Sequence, residues 1–213
     1  RNLSGMWQIL FPDKYVRYVD VPQNYDDAVG GKFYIEEMQH IRDDLGNLRG
    51  APITDAELNA SIAAYNDNRA ALRDLYAYRA AKPWQAPTSE VYLVQRAGMV
   101  LPVEEHTALV RQYLAAAEKL SRPKRDNARV VLTGGFCEQP PLALIKSIEM
   151  AGCYVVDDDF MLVGRWLLDH VPTDGDPLAE LSKAFLHRSA STAAKYDTKR
   201  EEKGVFLLKQ VKQ

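Results

Sequence analysis

In "APITDAELNASIAAYNDNRAALRDLYAYRAAKP", residues 51–83, apolar side chains recur every three or four positions, and Leu58, Ile62, Tyr65, Leu72, Leu75 and Tyr76 fall on one helical stripe. Thr54 and Glu57 have the spacing of a capping box, and Pro83 stops the run. The same period, carried by Phe33, Met38, Ile41, Leu45 and Leu48, predicts a helix over 31–49. Two more are expected at 88–100, behind Thr88 or Ser89, and at 102–120, where Pro102 suits a first turn. By contrast "KYVRYVDVP", residues 14–22, is β-branched and aromatic and ends in proline, which predicts a strand.

The pattern changes after "SRPKRDNA" (121–128), a polar, proline-containing boundary. A strand is expected at 129–133, then a turn, a helix at 140–151 and a strand at 153–157. Helical patterns follow at 160–171, 178–188 and 202–213. Strands alternating with helices imply a parallel sheet of the doubly wound kind, so 129–133 should pair parallel to 153–157.

Composition narrows the class. The chain is 46% hydrophobic and 26% charged, with 27 basic against 29 acidic residues, so no global field draws nucleic acid or an anionic membrane. Two cysteines cannot build a disulfide framework, and neither a signal peptide nor a membrane-length apolar run is visible, so a cytoplasmic protein is expected. The chain starts at Arg1 and stops within the apolar-periodic "KGVFLLKQVKQ", which reads as a piece of something longer. Trp7, Trp84 and Trp166 are expected to be packing residues.

The candidate chemistry sits in "RVVLTGGFCEQPPLALIKSIEMAGCYVVDDD", residues 129–159. A turn after the first strand of a parallel unit lies at the ligand-binding edge of the sheet. Gly134 and Gly135 permit close backbone approach there, and Pro140 and Pro141 place Cys137 just ahead of a helix whose positive end favours thiolate. From the residues alone Cys137 is either a small filler or an exposed thiol at a ligand site. The motif is neither G-x-G-x-x-G nor a Walker loop. Glu138 can meet substrate or cap the helix. Asp157, Asp158 and Asp159 can face the same cleft or cap a helix from Phe160. His187 can serve as a proton donor or be an ordinary surface histidine. Cys153, opening an apolar strand, is expected to be buried filler.

The run "GGFCEQPPLALIKSIEMAGCYVVDDDFMLVGRW" resembles the signature of the benzoyl-CoA reductase and 2-hydroxyacyl-CoA dehydratase family, in which a Cys-Glu-x-Pro turn precedes a helix, a short strand and an Asp-Asp pair. "RNLSGMWQILFPDKYVRYVDVPQNYDDAVGGKFYIEEM", "AAKPWQAPTSEVYLVQRAGMVLPVEEH" and "AFLHRSASTAAKY" resemble, within that family, the cluster-bearing C (gamma) subunits of class I, ATP-dependent benzoyl-CoA reductases. The resemblance implies two doubly wound, Rossmann-like α/β lobes joined by a helical section. Residues 1–30 would end the first lobe, 31–127 form the helical section and 128–213 start the second lobe. It implies an iron–sulfur cluster, [4Fe-4S] or double-cubane, held between the lobes by three cysteines. Cys137 would be the middle one, with partners ahead of Arg1 and beyond Gln213. No catalytic residue follows from it; Gly134, Gly135, Glu138, Asp158 and His187 are weaker candidates for substrate contact.

By the same resemblance the activity is two-electron dearomatisation of benzoyl-CoA to a cyclohexadiene carboxyl-CoA. The implied partners are a homologous B subunit, ATPase subunits that carry the nucleotide, and a ferredoxin donor, with no nucleic acid or membrane. A 2-hydroxyacyl-CoA dehydratase subunit, a double-cubane cluster reductase and a cluster-free scaffold are the alternatives.

Overall fold

The computed structural model describes residues 2–133, 140–158, 160, 162 and 169–188. Helix α1 (Asn2–Leu10) leads into extended chain, then a π-helical turn at Asp27–Gly31 that runs directly into α2 (Lys32–Arg49). The helix α3 (Asp55–Ala81), of 27 residues, is the longest of the described helices. Its capping box is formed: Thr54 Oγ1 accepts from the Glu57 amide at 3.2 Å, and the Glu57 carboxylate accepts from the Thr54 amide at 2.7 Å. Arg49 beside it, with those Thr54 bonds, holds the Glu57 carboxyl down at about 2.

Helices α4 (Thr88–Ala97) and α5 (Val103–Lys119) follow, and α5 lies along α3. Between them Ala71, Leu72, Leu75, Ala86, Val91 and Val110 make the main core. At the junction of α4 and α5, Gly98 faces the His106 ring so closely that a Cβ there would sit 2.6 Å from it.

The expected stripe of α3 is corrected in one place. Tyr65 is 48% exposed, and the buried face is completed by the polar residues Asn66, Asn68, Arg69 and Arg79. The expected strand at 14–22 is not formed: the segment has no regular secondary structure and pairs with no strand among the described residues. It is held by side chains, with Tyr15 Oη and Arg17 Nη1 both donating to Asp44, at 2.8 and 2.5 Å. β-propensity reports fit to a pleated neighbour, and among the described residues no such neighbour lies alongside.

The α/β part begins at β1 (Ala128–Leu132), crosses through α6 (Leu142–Met150) and returns as β2 (Cys153–Asp158). The two strands pair in parallel, as the alternation requires. After Val130↔Val155 the register moves to Val131↔Asp157, so the extra residue Val156 advances the acidic pair and sets Asp158 abreast of Leu132. Finally α7 (Pro177–Lys183), capped by Asp176, continues as a π-helical turn at Ala184–Arg188 and packs on α2 and α3. The described residues are thus mostly helical with one two-stranded parallel sheet. No helix among them is long and apolar enough to cross a membrane.

Further expectations meet the structure here. The helix at 178–188 is present. The helix at 202–213 and most of the one at 160–171, with Trp166, lie outside the described residues. Cys153 is half-buried rather than buried: as the first residue of β2 it stands at the rim of the strand pair, where a cleft reaches it.

Candidate functional site

The carboxyl edge of β1 and β2 is the end at which a parallel unit binds ligands. The turn carrying Gly134, Gly135, Cys137 and Glu138 lies outside the described residues, as does Asp159, but the frame on both sides of it is defined. The chain leaves β1 at Thr133 and returns at Pro140, whose carbonyl accepts from the Tyr92 hydroxyl at 2.6 Å. Below the returning chain, Tyr92, Ile145, Phe160 and Leu162 form a core cluster, with Leu132 and Leu142 packed against it. The positive end of α6 faces the same edge.

Asp158 ends β2 with a fully buried carboxylate. Its Oδ2 accepts from Arg79 Nη1 at 2.6 Å, while Oδ1 accepts from Tyr76 Oη and from the Phe160 amide, each at 3.1 Å. Arg79 is itself wholly buried, its guanidinium 4.5 Å from the Tyr76 ring centre and 3.6 Å from Asp157. Burial alone would lower its pKa; Asp158, then Tyr76 and Asp157, outweigh that and leave it above the ordinary arginine value. Asp157 and Asp158 thus both face the buried guanidinium of Arg79.

Sequence reasoning singled out Asp158 but missed Arg79 and Tyr76. The signal was available: Leu72, Leu75, Tyr76 and Arg79 stand at i, i+3, i+4 and i+7, so the arginine shares the apolar face of α3. His187 lies elsewhere, exposed in the last π-helical turn, with Nε2 2.7 Å from Asp27 Oδ1. The structure thus pairs Asp158 with Arg79 and His187 with Asp27, and shows no contact between these two pairs among the described residues.

An iron–sulfur cluster needs several thiolates. Among the described residues no group of three or more His, Cys, Asp or Glu side chains could hold a metal ion, and the one described cysteine, Cys153, is at the opposite end of β2 from Asp158. The described side chains alone do not fit such a group.

Comparison with known proteins supplies what geometry leaves open. The family model described as 2-hydroxyglutaryl-CoA dehydratase, D-component, matches residues 1–212. Over 212 residues the chain is 58% identical to the C subunit of the benzoyl-CoA reductase of Thauera aromatica, covering all of this chain and 55% of that one. It is 30% identical over 165 residues to the beta subunit of the lactoyl-CoA dehydratase of Anaerotignum propionicum, covering 77% of this chain and 44% of that one. With the (R)-phenyllactyl-CoA dehydratase beta subunit of Clostridium sporogenes the identity is 24% over 195 residues, covering 92% and 51%. The chain spans about half the length of the curated relatives it matches.

Proposed function

The chain belongs to the 2-hydroxyglutaryl-CoA dehydratase D-component family, and from that membership we propose that it is part of the C-type subunit of an ATP-dependent benzoyl-CoA reductase. The observation that carries this reading is the gap in identity: 58% to the reductase subunit, against 30% and 24% to the two dehydratase subunits. The proposed reaction adds two electrons and two protons to the ring of benzoyl-CoA and yields a cyclohexadiene carboxyl-CoA. The full protein would have two α/β lobes flanking the helical section and would work in the cytoplasm with a homologous B-type subunit, ATPase subunits and a ferredoxin donor.

In this reading Cys137 supplies a thiolate to an iron–sulfur cluster, and its partner cysteines come from other parts of the full protein. Such a cluster supplies single electrons at low potential. What this chain's described residues do is structural and electrostatic. Tyr92 fixes the return of the ligand-side turn at Pro140, and Arg79 makes it possible for Asp158 to be buried at that edge. Gly134, Gly135 and Glu138 are assigned to substrate contact on the same turn, and His187 to a weaker, peripheral part. Asp158, with both oxygens engaged internally, would act on substrate through its field rather than by contact.

The test is a substrate comparison on the full-length protein with its partner subunits, ATP and a low-potential donor. Ring reduction of benzoyl-CoA without dehydration of 2-hydroxyacyl-CoA is expected; the reverse preference would move the protein to the dehydratases. Absence of bound iron and sulfide would make it a scaffold.

A further inference from the structure

At the amino edge of the strands, opposite the end just described, a second cleft opens, and we propose that it binds a nucleoside phosphate. The cavity is about 470 Å³, within the range of small-molecule sites. Its walls come from the start of β2, the end of α6, the start of α4 and the 82–87 and 120–127 connections, so five parts of the chain converge on it. One wall is aromatic and apolar: Trp84 lies 6.4 Å from Tyr154, with Met150 at the rim. The other is cationic. Among the lining side chains Arg122, Arg125 and Lys146 face the single carboxylate Glu149, a local positive excess on a chain whose formal net charge is −2.

These cations are not equivalent. Arg122 is fixed, donating to Glu90 at 2.7 and 3.1 Å. Arg125 and Lys146 are exposed, enter no ion pair among the described residues, and approach from the connection and from α6. Lys124 lies over the Trp84 ring, 5.0 Å from its centre, so a base that stacks on this face displaces an exposed, flexible side chain. A flat base against Trp84 with phosphate between Arg125 and Lys146 uses both walls; a bare phosphate uses one. The cleft holds one such unit rather than a run of nucleotides. Cys153 lines the cleft and reports on its occupancy. Along β2 this site is on the order of 17 Å from Asp158, so the nucleotide itself stands away from the carboxyl edge. The proposal does not rest on the reductase reading, since free nucleotide fits the same walls.

Alkylation of Cys153 in the full-length protein, read peptide by peptide by mass spectrometry, tests it. Three probes are compared at millimolar concentration: ADP, the sulfur-free analogue dethio-CoA, and inorganic phosphate. Either nucleotide is expected to slow alkylation and phosphate not, since base stacking on an aromatic ring favours nucleotide over phosphate by about fivefold or more in affinity. Protection by dethio-CoA at far lower concentration than ADP identifies the nucleotide end of an acyl-CoA as the source. Equal protection identifies free nucleotide. The double variant R125E/K146E, both on the surface, should lose protection while its circular dichroism stays unchanged. The proposal is overturned if neither nucleotide protects, if phosphate protects as well, if protection survives in the variant, or if Cys153 does not react in the free protein.

Discussion

At the scale of single residues, buried polar groups carry the most information. Arg79 and Asp158 are both fully buried and bonded at 2.6 Å. Removing one partner leaves an uncompensated charge in the interior, so Arg79→Met is expected to cost about 3–5 kcal/mol in denaturant unfolding of the full-length protein. His106, also buried, works in the opposite sense. Its Nδ1 faces the Asn68 amide nitrogen, which can only donate, at 2.9 Å, and its Nε2 donates to the Val94 carbonyl at 3.0 Å, so the ring is neutral. Desolvation lowers its pKa below 6.5, against a smaller opposing effect of the Val94 bond. The unfolded chain therefore takes up the proton first. The stability this ring contributes is complete above about pH 6.5 and declines as the pH falls from there towards the folded value. Unfolding free energy measured from about pH 7.5 to 5 should show this loss, and His106→Gln should flatten it.

At the scale of elements, α3 was the most legible part of the chain because period and cap agree. Leu75 is wholly buried in the core against α5, and Leu75→Ala should cost about 2–5 kcal/mol. Tyr65, on the same predicted stripe but 48% exposed, should tolerate alanine within about 0.5 kcal/mol. Thermal and denaturant unfolding of the two variants separates the reading by period from the reading by structure. The period failed at Tyr65 because a helix of 27 residues meets different neighbours along its length, and polar Asn66, Asn68 and Arg69 take the inward positions nearby. Residues 14–22 misled because β-branched composition does not say whether a partner strand lies alongside. Cys153 misled for a related reason: its apolar neighbours are in the strand interior, whereas it stands at the strand's open end.

At the scale of the whole molecule, the ligand-side turn was legible as a motif, and the structure defines the frame that presents it without describing the turn. The assignment of Cys137 consequently rests on chemistry that can be measured. In the full-length complex Cys137→Ser is expected to lose most of the bound iron and sulfide and to abolish ring reduction, whereas Cys153→Ala should keep its iron and its activity. Iron assay and absorption spectra of the two variants decide the matter, and iron loss in the second would exchange the roles of the cysteines.

The Asn66 side chain pairs with Val171 in both directions, donating to its carbonyl and accepting from its amide, each at 2.8 Å across 105 residues of sequence. Arg79 likewise depends on Asp158, 79 residues further on. During synthesis α3 leaves the ribosome long before either partner exists, and at ordinary translation rates the wait for Val171 is about 5–20 s. For that interval α3 can already pack on α5, where Asn68 meets His106 and Thr107, while Asn66 and Arg79 stay bound to water, and the last stretch of described chain acts as a clasp. Seating of Val171 and β2 on α3 should therefore lag the pairing of α3 with α5 on the growing chain, an order set by the direction of translation rather than by the strength of any contact.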